Sequence, residues 1–172
     1  TISGKQFIEG LYVSLREACQ FKRSEKVIII AERINASRKT IAQAISSEDT
    51  AFIQAEAKAQ DRAGADYIDV NAGTFVGEEA EKLHWIVEAV QAVTEKPLCI
   101  DSPDPAVIQA MLPLVKKPPM INSITLEPER LEGILPIVAE YNTKVIGLCQ
   151  SEDAMADTAD DKVRMAEELV KR

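Results

Sequence analysis

The sequence of 172 residues predicts an α/β fold built on a parallel sheet, and three observations carry that prediction. Five short apolar runs recur along the chain, each near-continuous, as in strands covered on both faces. Longer stretches with apolar residues at three- and four-residue steps lie between them, the alternation that builds βαβ units. Polar residues collect at the end of run after run.

Taken in order, residues 4–19 present Phe7, Ile8, Leu11, Tyr12 and Leu15 on one face, so a helix is expected there, ahead of the first strand. The first strand is expected over 27–31. A helix follows over 50–63, where alanines and Ile53 repeat at helical spacing and Gly64 supplies a stop. The second strand is placed at 67–71, with a helix over 78–93 aligning Leu83, Ile86, Val87 and Val90. The third strand spans 97–101 and precedes a short helix over 105–114. The fourth covers 119–123, before a helix over 127–141 that gathers Leu131, Ile134, Leu135 and Val138. The fifth covers 144–149. The last helix, 160–172, begins with acids and ends on Lys171 and Arg172, the charge order a helix dipole favours. Two units result: an N-terminal helical extension, 1–26, and the βα region, 27–172. Five βα units suit a doubly wound five-stranded sheet and equally the first five units of an eight-unit barrel.

Composition narrows the function. A net charge of −8 and a pI near 4.8 argue against a nucleic-acid or anionic-membrane surface. No apolar run approaches the roughly 18 residues of a membrane span, and the first residues do not read as a secretory leader. Cys19, Cys99 and Cys149 are far apart, odd in number and outside any metal-ligand spacing. Reduced thiols in a cytoplasmic protein, with no metal, are expected, Cys99 and Cys149 serving as small hydrophobes in strands. His84, the only histidine, falls mid-helix, so no Ser/His/Asp or Cys/His set exists for covalent hydrolysis. Trp85 is expected to pack, and Glu78, Glu79, Glu81 and Lys82 to form a solvated helix face.

The strand ends are the informative places. They carry Glu32, Arg33 and Asn35; Asp69 and Asn71; Asp101 and Ser102; Asn122, Ser123 and Thr125; and Gly147 through Gln150. In parallel α/β folds these ends share one face, where ligands bind. Carboxylates and carboxamides, without a Gly-rich phosphate cradle, suit a neutral heterocycle bristling with donors and acceptors. The same residue types also cap helices and close Asx-turns, and Ser102 or Asp104 before Pro105 reads well as an N-cap.

The segments IIIAERINASRKT, GADYIDVNAG, LCIDSPDPAVIQA, MINSIT and VIGLCQ, in that order and spacing, resemble the first five strand ends of pterin-binding methyltransferases acting on methyltetrahydrofolate and a corrinoid protein. The resemblance implies a (β/α)8 TIM barrel of the pterin-binding type, of which the chain holds about the first five units. It implies a pterin at the C-terminal mouth, bound by Asp101 and Asn122, with Asn71, Glu32 and Asn35 at the matching positions of strands two and one. Asp69, on the face of Asn71, and Ser123, beside Asn122, complete the expected set, and no catalytic residue is assigned. The substrate implied is tetrahydrofolate or 5-methyltetrahydrofolate, and the cobalamin belongs to a corrinoid partner protein; a homodimer is expected. Ala31 stands where the family usually has Gly, and Pro103 where Thr often follows Asp-Ser. The family's sixth-strand Asp and seventh-strand Asn have no counterparts here, so the chain is expected to be the N-terminal part of a larger enzyme and inactive alone. Two alternatives stand beside this: a dihydropteroate synthase-like enzyme, and a partial barrel serving as a binding or assembly module.

Overall fold

Among the described residues five strands, β1 (Ile30–Asn35), β2 (Tyr67–Asn71), β3 (Leu98–Asp101), β4 (Met120–Ile124) and β5 (Lys144–Gly147), join in one all-parallel sheet in the order β1-β2-β3-β4-β5. The computed structural model describes residues 27–151 and 157–172; the expected helix over 4–19 and Cys19 lie outside the described residues. Because spatial order equals chain order, every crossover advances the same way. Right-handed crossovers then lay all helices on one face of the sheet, whereas a doubly wound sheet must reverse at a switch point. The arrangement is an arc of a barrel wall, which decides between the two architectures.

Among the described residues six α-helices follow the strands, α1 (Lys39–Ser46), α2 (Thr50–Arg62), α3 (Glu79–Gln91), α4 (Pro105–Met111), α5 (Pro128–Tyr141) and α6 (Ala159–Lys171), with a 3-10 turn at Leu112–Leu114. The core lies between the sheet and α1 to α5. Ile34, Ile68, Val70, Leu98, Ile100 and Ile121 from the strands meet Ile53, Leu83, Ile86, Ile108 and Ile134 from the helices. Helix starts are written locally. Asp49 accepts from the Phe52 N–H at 3.0 Å, Asp104 from the Ala106 N–H at 2.8 Å and Thr158 from the Asp161 N–H at 3.1 Å. Gly64, at φ +90°, turns the chain after α2. Trp85 packs against the core, as expected.

Several expectations are corrected. The first strand begins at Ile30, not Val27, and runs through Glu32 and Arg33 to Asn35. A register irregularity between Ala31 and Ile34 accommodates these polar residues. Arg33 is then held from outside, its side chain on Glu56 and its N–H on Gln60. Helix α1, unforeseen, buries Ile41, Ala44 and Ile45. β5 stops at Gly147, so Cys149 lies beyond it and its thiol meets the Lys162 carbonyl at 3.4 Å. The acidic start of α3 is not wholly solvated. Glu79 accepts from the Ser102 hydroxyl at 2.6 Å, and Lys82, with its side chain 12% exposed, pairs with Glu48.

Candidate functional site

The alternation within β2, β3 and β4 sorts the site from the core. Ile68, Val70, Leu98, Ile100 and Ile121 turn to the helices, which leaves Asp69, Asn71, Cys99, Asp101, Met120 and Asn122 for the opposite, concave face. Parallel register places Asn71, Asp101 and Asn122 side by side in one row, on strands about 4.8 Å apart. Asp69, Cys99 and Met120 form the row beneath.

Hydrogen bonds knit these rows together. Asn71 Nδ2 donates to Asp101 Oδ2 at 2.9 Å and to the Asp101 carbonyl at 3.3 Å, while its Oδ1 accepts from the Gly73 N–H at 3.0 Å. Asn122 Nδ2 donates to Asp69 Oδ2 at 3.2 Å across the intervening strand β3, on which Cys99 is level with Asp69. Asp69 is fully buried and its Oδ1 has no hydrogen-bond partner. Burial, reinforced by the charge of Asp101, pushes its carboxyl from an ordinary 3.8 up to about 7. The Cys99 thiol and the Asn122 amide pull the other way. Burial and the neighbouring carboxylates raise the Cys99 thiol well above the usual thiol range. Asp101, half-buried, is also raised by burial. Asn71 and Arg130 restrain that rise, while Glu32 and Glu79 add to it.

What remains open to a ligand is specific. Asp101 has Oδ2 committed to Asn71, and Asn122 has Nδ2 committed to Asp69, so their Oδ1 atoms are the uncommitted ends of two neighbours in one row. Two adjacent acceptors match a heterocycle edge that carries two N–H donors. Glu32 stands near enough on β1 to raise both aspartates. Asn35 accepts from the Ser37 N–H at 2.9 Å, an Asx-turn that closes the first loop. Ser123 is buried, and its hydroxyl and carbonyl accept from Arg130 at 3.5 Å, so the structure ties it to α5 and leaves it outside the row. His84 stays on the helix surface near Glu88. No cluster able to hold a metal occurs among the described residues.

Arg130 and Glu79 were missed by sequence reasoning, which treated helix starts as separate from strand ends. Both sit in the first turn of the helix that follows a strand, and such a turn lies at the same mouth as the strand end.

Known proteins share this pattern. The family model for pterin binding enzymes matches residues 31–172. A methylcorrinoid:tetrahydrofolate methyltransferase from Eubacterium limosum is 38% identical over 146 residues, covering 84% of this chain and 54% of that protein. Methionine synthases from Mycobacterium tuberculosis (strain ATCC 25618 / H37Rv) and Mycobacterium leprae (strain TN) are 31% and 30% identical over 163 residues, 91% of this chain and 14% of theirs. The chain thus spans about half the length of the Eubacterium relative and a smaller part of the other two. A sheet of five parallel strands in chain order, a row of amide and carboxylate groups at its C-terminal edge and a match over residues 31–172 together make this chain a member of the pterin-binding enzyme family.

Proposed function

We propose that the protein is a methyltransferase that binds 5-methyltetrahydrofolate or tetrahydrofolate and exchanges a methyl group with a corrinoid protein. The observation that carries this reading is the pair of uncommitted acceptors, Asp101 Oδ1 and Asn122 Oδ1, side by side at the sheet's C-terminal edge. The amino group and adjacent ring N–H of a pterin form a two-donor edge that such a pair of acceptors can meet. The names of the relatives supply the rest: one acts on a methylcorrinoid and tetrahydrofolate.

The chain's own residues bind and orient. Asn71 holds the Asp101 carboxylate still and favours its charged form; Asp69 does the equivalent for the Asn122 amide. A pterin gripped along this edge has its N5 side directed outward, where the methyl group is exchanged. The corrinoid, carried by the partner, supplies the cobalt centre that gives or takes that methyl. The proposed site also takes in Glu32, Asn35 and Ser123 at the same strand ends, while Asn71 and Asp69 support Asp101 and Asn122 directly. A homodimer and a cytoplasmic setting belong to the same proposal. The free thiols of Cys99 and Cys149 suit the latter, and no helix among the described residues is long and apolar enough to cross a membrane.

Titrating the intact protein with 5-methyltetrahydrofolate tests the reading. Saturable binding is expected, weakened at least about tenfold in Asp101→Ala and in Asn122→Ala, since each removes a charged or amide hydrogen bond. Intact wild type that binds no folate would overturn it.

A further inference from the structure

Asp69 does not reach the mouth, yet its carboxyl is closely confined. It is 0% exposed, its Oδ2 accepts the Asn122 amide across an intervening strand, and its Oδ1 is buried without a partner. The groups facing it are Glu32 from β1, Cys99 and Asp101 from β3 and Asn122 from β4; Glu79 and Arg130, from α3 and α5, act on Asp101.

We infer that Asp69 is a positioning residue whose proton decides which end of the Asn122 amide the ligand meets: ionised, it holds Nδ2 and turns Oδ1 outward as an acceptor; protonated, it turns Nδ2 outward as a donor. The inference rests on the proposed pterin site and goes beyond it, because the recognition chemistry of Asn122 becomes dependent on a group the ligand never touches.

The reasoning is one of hydrogen-bond satisfaction. A carboxylate has only acceptors, so Asn122 must offer Nδ2 to it. A proton added to Asp69 has two places to go. On Oδ1 it becomes a buried donor with no better neighbour than the Cys99 sulfur, a weak acceptor, and on Oδ2 it confronts the Nδ2 donor. Half a turn of the Asn122 amide about Cβ–Cγ removes the conflict, since the carboxylic O–H then donates to Asn122 Oδ1. On the intervening strand the residue level with Asp69 is Cys99, a compact side chain. The carboxyl, raised to about 7 by burial and Asp101, changes state within the neutral range. A pterin edge of two donors prefers the acceptor form, so binding should be tighter on the alkaline side.

Side-chain amide resonances of the ¹⁵N-labelled protein test this directly. The Asn122 pair, assigned by its loss in Asn122→Ala, should move between about pH 5.5 and 8.5 with a midpoint near 7, the value burial imposes on Asp69. The movement should persist in Asp101→Asn and vanish in Asp69→Asn. Tetrahydrofolate affinity of wild type should fall about three- to tenfold between about pH 8 and pH 6, the span over which one group protonates. Asp69→Asn, which carries a donor on one end at every pH as the protonated acid does, should bind at about pH 8 only as tightly as wild type does at about pH 6. This first arm needs no variant of Asp69, so a poorly folding Asp69→Asn does not rescue the idea. Asn122 resonances that stay fixed in wild type, or that titrate unchanged in Asp69→Asn, overturn it. Absence of tetrahydrofolate binding at every pH would fall on the proposed function instead, while the resonances still decide the linkage.

Discussion

Asn71 spends its polar atoms inside the protein: its Oδ1 closes a turn onto the Gly73 N–H, and its Nδ2 steadies Asp101. Asn71→Ala should therefore act on the ligand only through Asp101. Removing the strongest influence that keeps Asp101 charged should raise its carboxyl further and weaken 5-methyltetrahydrofolate most at acidic pH. It should also cost about 1–2 kcal/mol in urea unfolding, from the buried hydrogen bonds lost. Ser102 is the control. Its hydroxyl donates to Glu79 and accepts from the Asp104 N–H, so Ser102→Ala should cost a similar amount and leave folate affinity within about twofold. The sequence pointed to the right rows but could not divide them. Asn35 and Asp104 turned out to close turns and caps, whereas Asp101 and Asn122 keep an atom for the mouth, and that division depends on cross-strand neighbours 30 and 53 residues away.

At the level of elements, α4 and α5 meet at one close approach. A Cβ on Gly133 would lie 2.6 Å from Pro105 Cγ and 3.2 Å from its Cβ. Gly133→Ala should gain up to about 1 kcal/mol of helix propensity and lose about 1–3 to overpacking, a net destabilisation. Combining it with Pro105→Ala, which removes the offending ring, should recover part of that loss, and a double-mutant cycle by thermal unfolding would read the coupling as about 0.5–3 kcal/mol. A Gly133→Ala protein as stable as wild type would show that the two helices part easily. The longer helices and β2 were legible, because period and stop signals agree there. Helix α1 was not: it has eight residues, and Arg38 at its N-cap makes no side-chain cap bond, so no start signal marks it. β1 was displaced by three residues because a greasy approach, Val27 to Ile29, stays exposed while the polar Glu32 and Arg33 enter the sheet.

For the molecule as a whole, the buried acids set how stability follows pH. Asp69 rises from 3.8 unfolded to about 7 folded, so the native state holds its proton more tightly. Its contribution is complete below the unfolded value and is lost as pH climbs through the folded one. At about 1.36 kcal/mol per unit, the loss between roughly pH 4 and pH 7 approaches 4 kcal/mol as an upper figure. Asp101, raised in the same direction, adds to it. Stability by urea titration should thus be lower at pH 8 than at pH 5, and Asp69→Asn should flatten most of that slope; equal slopes would contradict the burial of a titrating carboxyl. The alternation of strand and helix made the fold class readable, but the choice of a barrel arc was not, since strand order is a matter of pairing partners and no local pattern encodes it.

Cys99, the compact residue level with Asp69 on β3, gives that cohesion a gauge. Its thiol is fully buried and held protonated, so an alkylating reagent has no thiolate to attack until the central strands separate. Of the two described thiols, Cys149, half-buried beyond the end of β5, should label before Cys99. At low denaturant the slow labelling of Cys99 should then report the free energy of opening the sheet, one molecule at a time. Rapid labelling of Cys99 in the native protein would mean that the inner rows breathe far more often than their packing implies. A small buried residue on a central strand thus doubles as the protein's own record of how often its wall comes apart.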